Sequence, residues 1–183
     1  EFLDATKDFS FALFRQVAGE DNPLVSPLSV YLALGMTANG ANSHTLEEFE
    51  AVLGGGLSMQ TLNEGYAWLM QNLPSSEKAK LALANSLWVR EDVSPLQEFL
   101  QANADYYGAG AYRVDFQNPD AVKQINDWVK THTDGQIDKV MDQFKPNTVM
   151  LLVNALSFDA EWAQKYLQTD VRPDTFQNLS GTT

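Results

Sequence analysis

The sequence contains no cysteine among its 183 residues. That excludes disulfide scaffolds, zinc–thiolate sites, iron–sulfur clusters and cysteine nucleophiles. It leaves the redox compartment open, because a cysteine-free chain is compatible with any of them. Basic residues are scarce: 12 Lys and Arg stand against 24 Asp and Glu, a net charge of −12. Binding a phosphate backbone needs a basic face, so nucleic acid is not an expected partner. A membrane is not expected either, since anionic lipid surfaces attract basic segments. No run approaches the roughly 18 consecutive apolar residues of a spanning helix. The N-terminus has no basic-then-apolar leader pattern. The numbering can begin after a removed segment, so secretion stays open.

Catalytic groupings are also missing. The two histidines are His44 and His132. His44 stands beside Ser43 at the mouth of a predicted helix, where adjacent side chains do not face each other for proton transfer. His132 lies at the polar end of another helix. Both read as solvated surface residues, and no nucleophile elbow is present. Gly54–Gly56 lacks a following Lys-Ser/Thr, so it is a helix stop and not a phosphate loop. The acid pairs Glu47-Glu48 and Glu20-Asp21 fall at helix starts or turns, where they suit the helix dipole. No calcium-loop pattern occurs. Asn178-Leu-Ser180 is a formal glycosylation sequon, a pattern of low specificity. No cofactor and no metal is expected, and nothing points to an enzyme.

What is present is ordinary globular composition, 44% apolar and 20% charged, at the length of one domain. The first part, about 1–78, reads as helical. Phe2, Phe9, Leu13 and Val17 recur at helical spacing before Gly19. Ser26 suits an N-cap and Pro27 the first helical position. Leu28 to Ala38 is apolar nearly all round, as in a helix buried on all sides. Thr45-Leu-Glu-Glu48 reads as a capping box opening a short helix. Ser58 to Leu73 forms a fourth helix that stops before Pro74.

The character changes in the second part, about 79–183. From Lys80 to Val89 the residues alternate with apolar content on both faces, as in a central strand. A helix follows Pro95, then a short strand near Ala111–Val114. Another helix opens at Asn118-Pro119, carries Val122, Ile125, Trp128 and Val129, and stops at Gly135. Val149 to Phe158 is a second long strand, and Val171 to Phe176 a third, short one. The fold class is α+β.

Polar residues in apolar places stand out. Ser26 and Ser29 flank Pro27 at the start of the most apolar helix, and Asn154 sits inside the most apolar strand. A buried amide left without a partner costs about 1–3 kcal/mol. A polar cluster joining a helix N-terminus to a sheet satisfies it. Such a cluster is either a purely structural bond or a latch that can open.

These residues carry a resemblance. Asn22-Pro-Leu-Val-Ser-Pro-Leu-Ser29-Val-Tyr-Leu-Ala-Leu-Gly-Met36, with Asn39-Gly-Ala41 and Thr45-x-x-Glu48, resembles the second-helix region of the serpins. Ala84-Asn-Ser-Leu-Trp-Val89 is similar to the second strand of their large sheet A. Glu98-Phe-Leu, Tyr106-Tyr and Val114-Asp-Phe116 resemble the next helix and edge strand. Ile125-Asn126-x-Trp-Val129 with Thr133-x-Gly135-x-Ile137 resembles the helix lying across that sheet. Val153-Asn154-Ala-Leu-Ser-Phe158-Asp-Ala-Glu-Trp162 resembles the third strand and the turn after it. The matches run in order from Phe2 to Phe176. One departure is Asp159, where serpins usually carry a basic residue.

The resemblance implies a serine-type endopeptidase inhibitor that traps its target by inserting a cleaved reactive loop into the large sheet. A carrier or chaperone-like serpin without inhibitory activity is the alternative. It places Ser26, Ser29 and Asn154 in the shutter, Trp162 in the breach, and Asn126 and Gly135 at the crossing helix. Simple roles stay open for the last of these: Trp162 as core packing, Gly135 as a C-cap. The partner implied is a serine protease, or for some members a cysteine protease, engaged through a reactive loop C-terminal to Thr183. A serpin is roughly twice this length, so the chain alone is expected not to trap a protease. The strand edge at Asn154 is expected to meet the C-terminal half, in a companion chain or a longer parent sequence, or else a second copy. Some serpins bind heparin through a basic fourth helix; Ser58–Leu73 has no Lys or Arg, so heparin there is not expected. The family favours a secreted or extracellular setting.

Overall fold

The computed structural model describes residues 1–19, 23–73, 76 and 78–175. Four helices come first: α1 (Phe2–Val17), α2 (Pro27–Ala38), α3 (Ser43–Gly54) and α4 (Met59–Gln71). The long strand β1 (Ala79–Arg90) follows, then α5 (Gln97–Tyr107), β2 (Gly110–Val114), α6 (Asp120–His132), β3 (Met150–Ala160) and a short 3-10 turn at Gln168–Asp170.

The sheet has the order β2-β1-β3 among the described residues. β1 runs parallel to β2, with Ser86 opposite Gly110 and Arg90 opposite Val114. A parallel pair needs a crossover, and α5 supplies it. β1 runs antiparallel to β3, from Ala79 opposite Ala160 to Val89 opposite Met150. The central placement of β1 explains its apolar content on both faces.

Each face of the sheet has its own core. On one side Leu87 joins Tyr31, Leu32 and Met36 of α2, Leu62 and Tyr66 of α4 and Tyr107 of α5. On the other, Trp88, Val114, Val153 and Ala155 meet Ala121, Ile125 and Val129 of α6. Leu87 and Trp88 are sequence neighbours on opposite faces, as the period of two requires. Complete burial of Ile125 and Val129 anchors α6 by roughly 1.5–3 kcal/mol apiece.

α2 is the hub of the first core. Among its residues only Thr37 is exposed. Ser26 caps it, its hydroxyl accepting from the Ser29 N–H at 3.3 Å, and Pro27 takes the first position. Gly35 lets α2 approach closely: a Cβ there would stand 2.5 Å from the Tyr107 hydroxyl and 2.8 Å from the Tyr66 ring.

Three local expectations are corrected. The Thr45–Glu48 capping box does not form. Asn42 is the N-cap, its carbonyl accepting from Leu46 N, and no side chain caps the helix. The turn after α2 closes tightly, with Gly40 and Ala41 bonded to Thr37 and Ala38, so the helix starts before Thr45. Residues 171–175 form no strand. No neighbouring strand supports them among the described residues, and Pro173 cannot donate to a ladder; Phe176 lies outside the described residues. Gly135 is not the C-cap of α6, which is Thr133. Instead Asp134 and Gly135 take φ of 51° and 77°, and the Gly135 N–H returns 2.8 Å to the Lys130 carbonyl. This is a Schellman closure with glycine one step past its usual place. Glu20-Asp21, Asn22, Pro74 and the Asn178 sequon lie outside the described residues.

Candidate functional site

The polar seam is built where α2 meets the β1–β3 pair. Asn85 and Asn154 are direct partners in the antiparallel register. They share a face with Leu83, Leu87 and Leu152, which pack in the helix-side core. The N-terminal turn of α2, fixed by its Ser26 cap, brings Ser29 over that face.

The hydrogen bonds form a continuous line. The Ser29 hydroxyl donates to Asn154 Oδ1 at 2.5 Å. Asn154 Nδ2 donates to Asn85 Oδ1 at 2.7 Å. Asn85 Nδ2 donates to the Tyr107 carbonyl at the end of α5, at 2.8 Å. One helix, two strands and a second helix are joined by three side chains. Asn85 is 2% exposed, so its bonds have no water to replace them.

The line continues at the other end of α2. The Tyr107 hydroxyl donates to Asn63 Oδ1 at 2.9 Å, and Asn63 Nδ2 donates to Asn39 Oδ1 at 2.8 Å. Asn39 follows the last residue of α2 and donates back to the Gly35 carbonyl at 3.2 Å. The three buried tyrosines here stay neutral. Burial pushes the hydroxyls of Tyr31, Tyr66 and Tyr107 up, and for Tyr66 the neighbouring Tyr107 and Tyr31 add to the effect. Tyr66 has no hydrogen-bond partner for its buried hydroxyl among the described residues.

Of the expected site residues, Ser26, Ser29 and Asn154 come together. Asn126 and Gly135 lie on the opposite face, with α6. Asn126 Oδ1 accepts from the Val140 N–H at 2.9 Å, and its Nδ2 donates to the Met141 carbonyl at 2.9 Å. It staples the segment after α6 back onto the helix. Trp162 stands apart from both: it lies past the end of β3 and is 78% exposed. Among the described residues Trp162 packs into neither core. Asn85, absent from the expected site residues, belongs to the seam as well. The signal was available, because Asn85 breaks an apolar strand as Asn154 does.

The histidines lie elsewhere. His44 is exposed, with Glu47 and Glu48 each 3.6 Å away. His132 stacks on the Trp128 indole at 4.1 Å, with Nδ1 2.7 Å from the Trp128 carbonyl. The seam holds hydroxyls and amides but no acid or base. Its chemistry is hydrogen bonding between elements.

The comparisons with known proteins agree with this architecture. The family model described as serpin (serine protease inhibitor) matches residues 4–183. An uncharacterised serpin-like protein of Thermococcus kodakarensis is 34% identical over 98% of this chain and 43% of its own length. Thyroxine-binding globulin of Sus scrofa is 34% identical over 87% of this chain and 40% of its own. The native-state crystal structure of the thermophilic serpin tengpin is 44% identical with a TM-score of 0.89, covering 97% of this chain and 46% of that one. The chain thus spans less than half the length of these relatives.

Proposed function

The chain belongs to the serpin family, and from that premise we propose that it is the N-terminal half of a serine-protease inhibitor of the loop-insertion type. Its own residues carry no bond chemistry. The target's serine attacks the scissile carbonyl of an exposed loop, the peptide bond breaks, the amine departs as a new N-terminus, and an acyl-enzyme remains. The loop then enters the large sheet as an added strand, a step in which main-chain donors and acceptors gain partners along a ladder.

The observation that carries this reading is the line Ser29–Asn154–Asn85. β3 pairs only with β1 among the described residues, which leaves its other edge for an added strand. Asn154 holds β3 down onto α2 through Ser29. Strand insertion beside β3 has to break or redirect that bond, and Ser26, by capping α2, sets where Ser29 stands. In this reading the three form the shutter. Trp162, exposed beyond the end of β3, belongs to the breach where insertion begins. α6 crosses the second face of the sheet and shifts as the loop passes. Asn126 and the Gly135 turn carry the following segment with it.

The partners in this reading are a serine protease, or a cysteine protease, and a C-terminal half that completes the sheet at β3. A second copy at the same edge is the other occupant. Heparin is not a ligand of α4, which has no Lys or Arg between Met59 and Gln71. The setting is secreted or extracellular, and no helix among the described residues is long and apolar enough to cross a membrane.

The second reading is a carrier or chaperone-like serpin, favoured by the match to a protein named for binding thyroxine. One experiment separates the two. The full-length protein is mixed with a panel of serine proteases and run on a denaturing gel. A covalent complex that survives denaturation is the expected result. Cleaved protein with fully active protease across the panel overturns the inhibitory reading.

A further inference from the structure

The acidic chain carries a depression where cations gather. It lies at the N-terminal end of α6, between that helix, the loop before it and the segment after it, and has a volume of about 770 Å³. Phe116, Val122 and Phe144 are the half-buried apolar groups of its lining. The Phe116 and Phe144 rings meet edge to face, with centroids 4.8 Å apart. Asn126 fixes one wall through its bonds to Val140 and Met141. The shape is therefore held by a helix, an aromatic pair and a side-chain staple.

Charge distinguishes this depression from the rest of the surface. Arg90, Lys123, Lys139 and Lys145 line it, four of the chain's 12 basic residues. The acids in the lining are Asp138 and Asp142. Asp138 is engaged by Lys130 at 2.7 Å. Arg90 faces a second, acidic depression and bonds Asp92. Lys123 and Lys139 pair with Asp127 and Asp142 in exposed, solvent-screened contacts that a ligand can displace. Lys145 forms no ion pair among the described residues. A net −12 chain repels anions at long range, so an anion that binds here is held by local cations and by the apolar floor together.

We propose that this depression binds an amphipathic carboxylate with an aromatic body, the ring lying on Phe116, Val122 and Phe144 and the carboxylate meeting Lys145 and Lys123. The volume falls within the range of small-molecule sites. The apolar lining disfavours a phosphate or a sugar, which would leave polar groups unpaired against Phe116 and Phe144. The site lies across the sheet from the Ser29–Asn154 seam.

The test uses the full-length protein and 2-naphthoate as probe, followed by calorimetry and by amide chemical shifts. Binding with a dissociation constant of about 0.1–1 mM is expected for so small a ligand. The neutral 2-naphthamide should bind about tenfold more weakly, and so should 2-naphthoate to Lys145→Glu, an exposed substitution. Val122→Trp fills the depression and should abolish saturable binding. If that variant melts early, the shift map on the parent protein decides instead, with perturbations expected at Asn118, Val122 and Lys145. No saturable binding, equal binding of acid and amide, indifference to Lys145→Glu, or shifts centred elsewhere would each overturn the proposal.

Discussion

Asn154 donates to Asn85 across the antiparallel β1–β3 pair at 2.7 Å, while its carbonyl oxygen receives the hydroxyl of Ser29 from α2. One amide group thereby joins the two long strands to each other and to the hub helix. Removing it should unsettle three elements at once.

Asn154→Ala leaves the Asn85 carbonyl oxygen and the Ser29 hydroxyl without partners. The expected loss is about 1–3 kcal/mol of stability in the full-length protein, read by chemical denaturation. Asn85→Ala should fall in the same range. The double variant should cost less than the sum by about 0.5 kcal/mol or more, because both changes break the same bond. Additive effects would show that the two amides act separately.

Gly35→Ala should lower the melting temperature. Its Cβ would stand 2.5 Å from the Tyr107 hydroxyl and 2.8 Å from the Tyr66 ring. Neither side chain can move freely in a packed core, so a cost of about 1–3 kcal/mol is expected. Gly19→Ala is the control. Nothing lies within 4 Å of a Cβ there, and its effect should stay within about 0.5 kcal/mol.

Alkaline pH should unfold the chain through its buried tyrosines. Tyr31, Tyr66 and Tyr107 all have hydroxyls raised above the usual 10.0, with burial as the main cause. A raised folded value favours the neutral form in the native state, so the stabilisation is complete below 10.0. It is lost as pH rises above that value, where the unfolded chain ionises and the folded one does not. Phenolate absorbance from these three should appear in one cooperative step, together with loss of far-ultraviolet dichroism. Gradual ionisation without unfolding would contradict the burial of the cluster.

Asn126→Ala should release the segment after α6 with only a small change in global stability. The Val140 and Met141 N–H groups both bond to Asn126 Oδ1, at 2.9 and 3.3 Å. Hydrogen exchange at these two amides should quicken by about tenfold or more, while exchange in β1 stays slow.

The elements set by local rules were legible. Ser26 and Pro27 mark the start of α2 because a cap and a pre-set φ act within one turn. The alternation from Lys80 to Val89 marks β1 because a strand buried on both faces has to look that way. Choices between competing local signals were less legible. Thr45 and Glu48 have the spacing of a capping box, but the tight turn at Gly40 and Ala41 makes Asn42 the cap and starts the helix at Ser43. Val171 to Thr175 has strand-like residues but no neighbour to pair with among the described residues.

The site was legible in part for the same reason. Ser29 and Asn154 stood out as polar groups in apolar surroundings. That Asn85 receives the Asn154 amide depends on the register between residues 69 apart in the chain, which no local pattern encodes. The exposure of Trp162 depends on where β3 ends, and large aromatic residues in a sequence read first as core.

β1 separates two cores that share no side chains: Leu87 belongs to one and Trp88 to the other. This makes the strand intolerant of insertion or deletion in a way that single substitutions would not reveal. Dropping Ser86 would reverse the parity of everything before the cut relative to β3, or of everything after it. Either the indole of Trp88 would turn into the space shaped for Leu87, or Asn85 would lose its place opposite Asn154. Length polymorphism in this chain is accordingly expected in its connecting loops, with β1 kept at constant length.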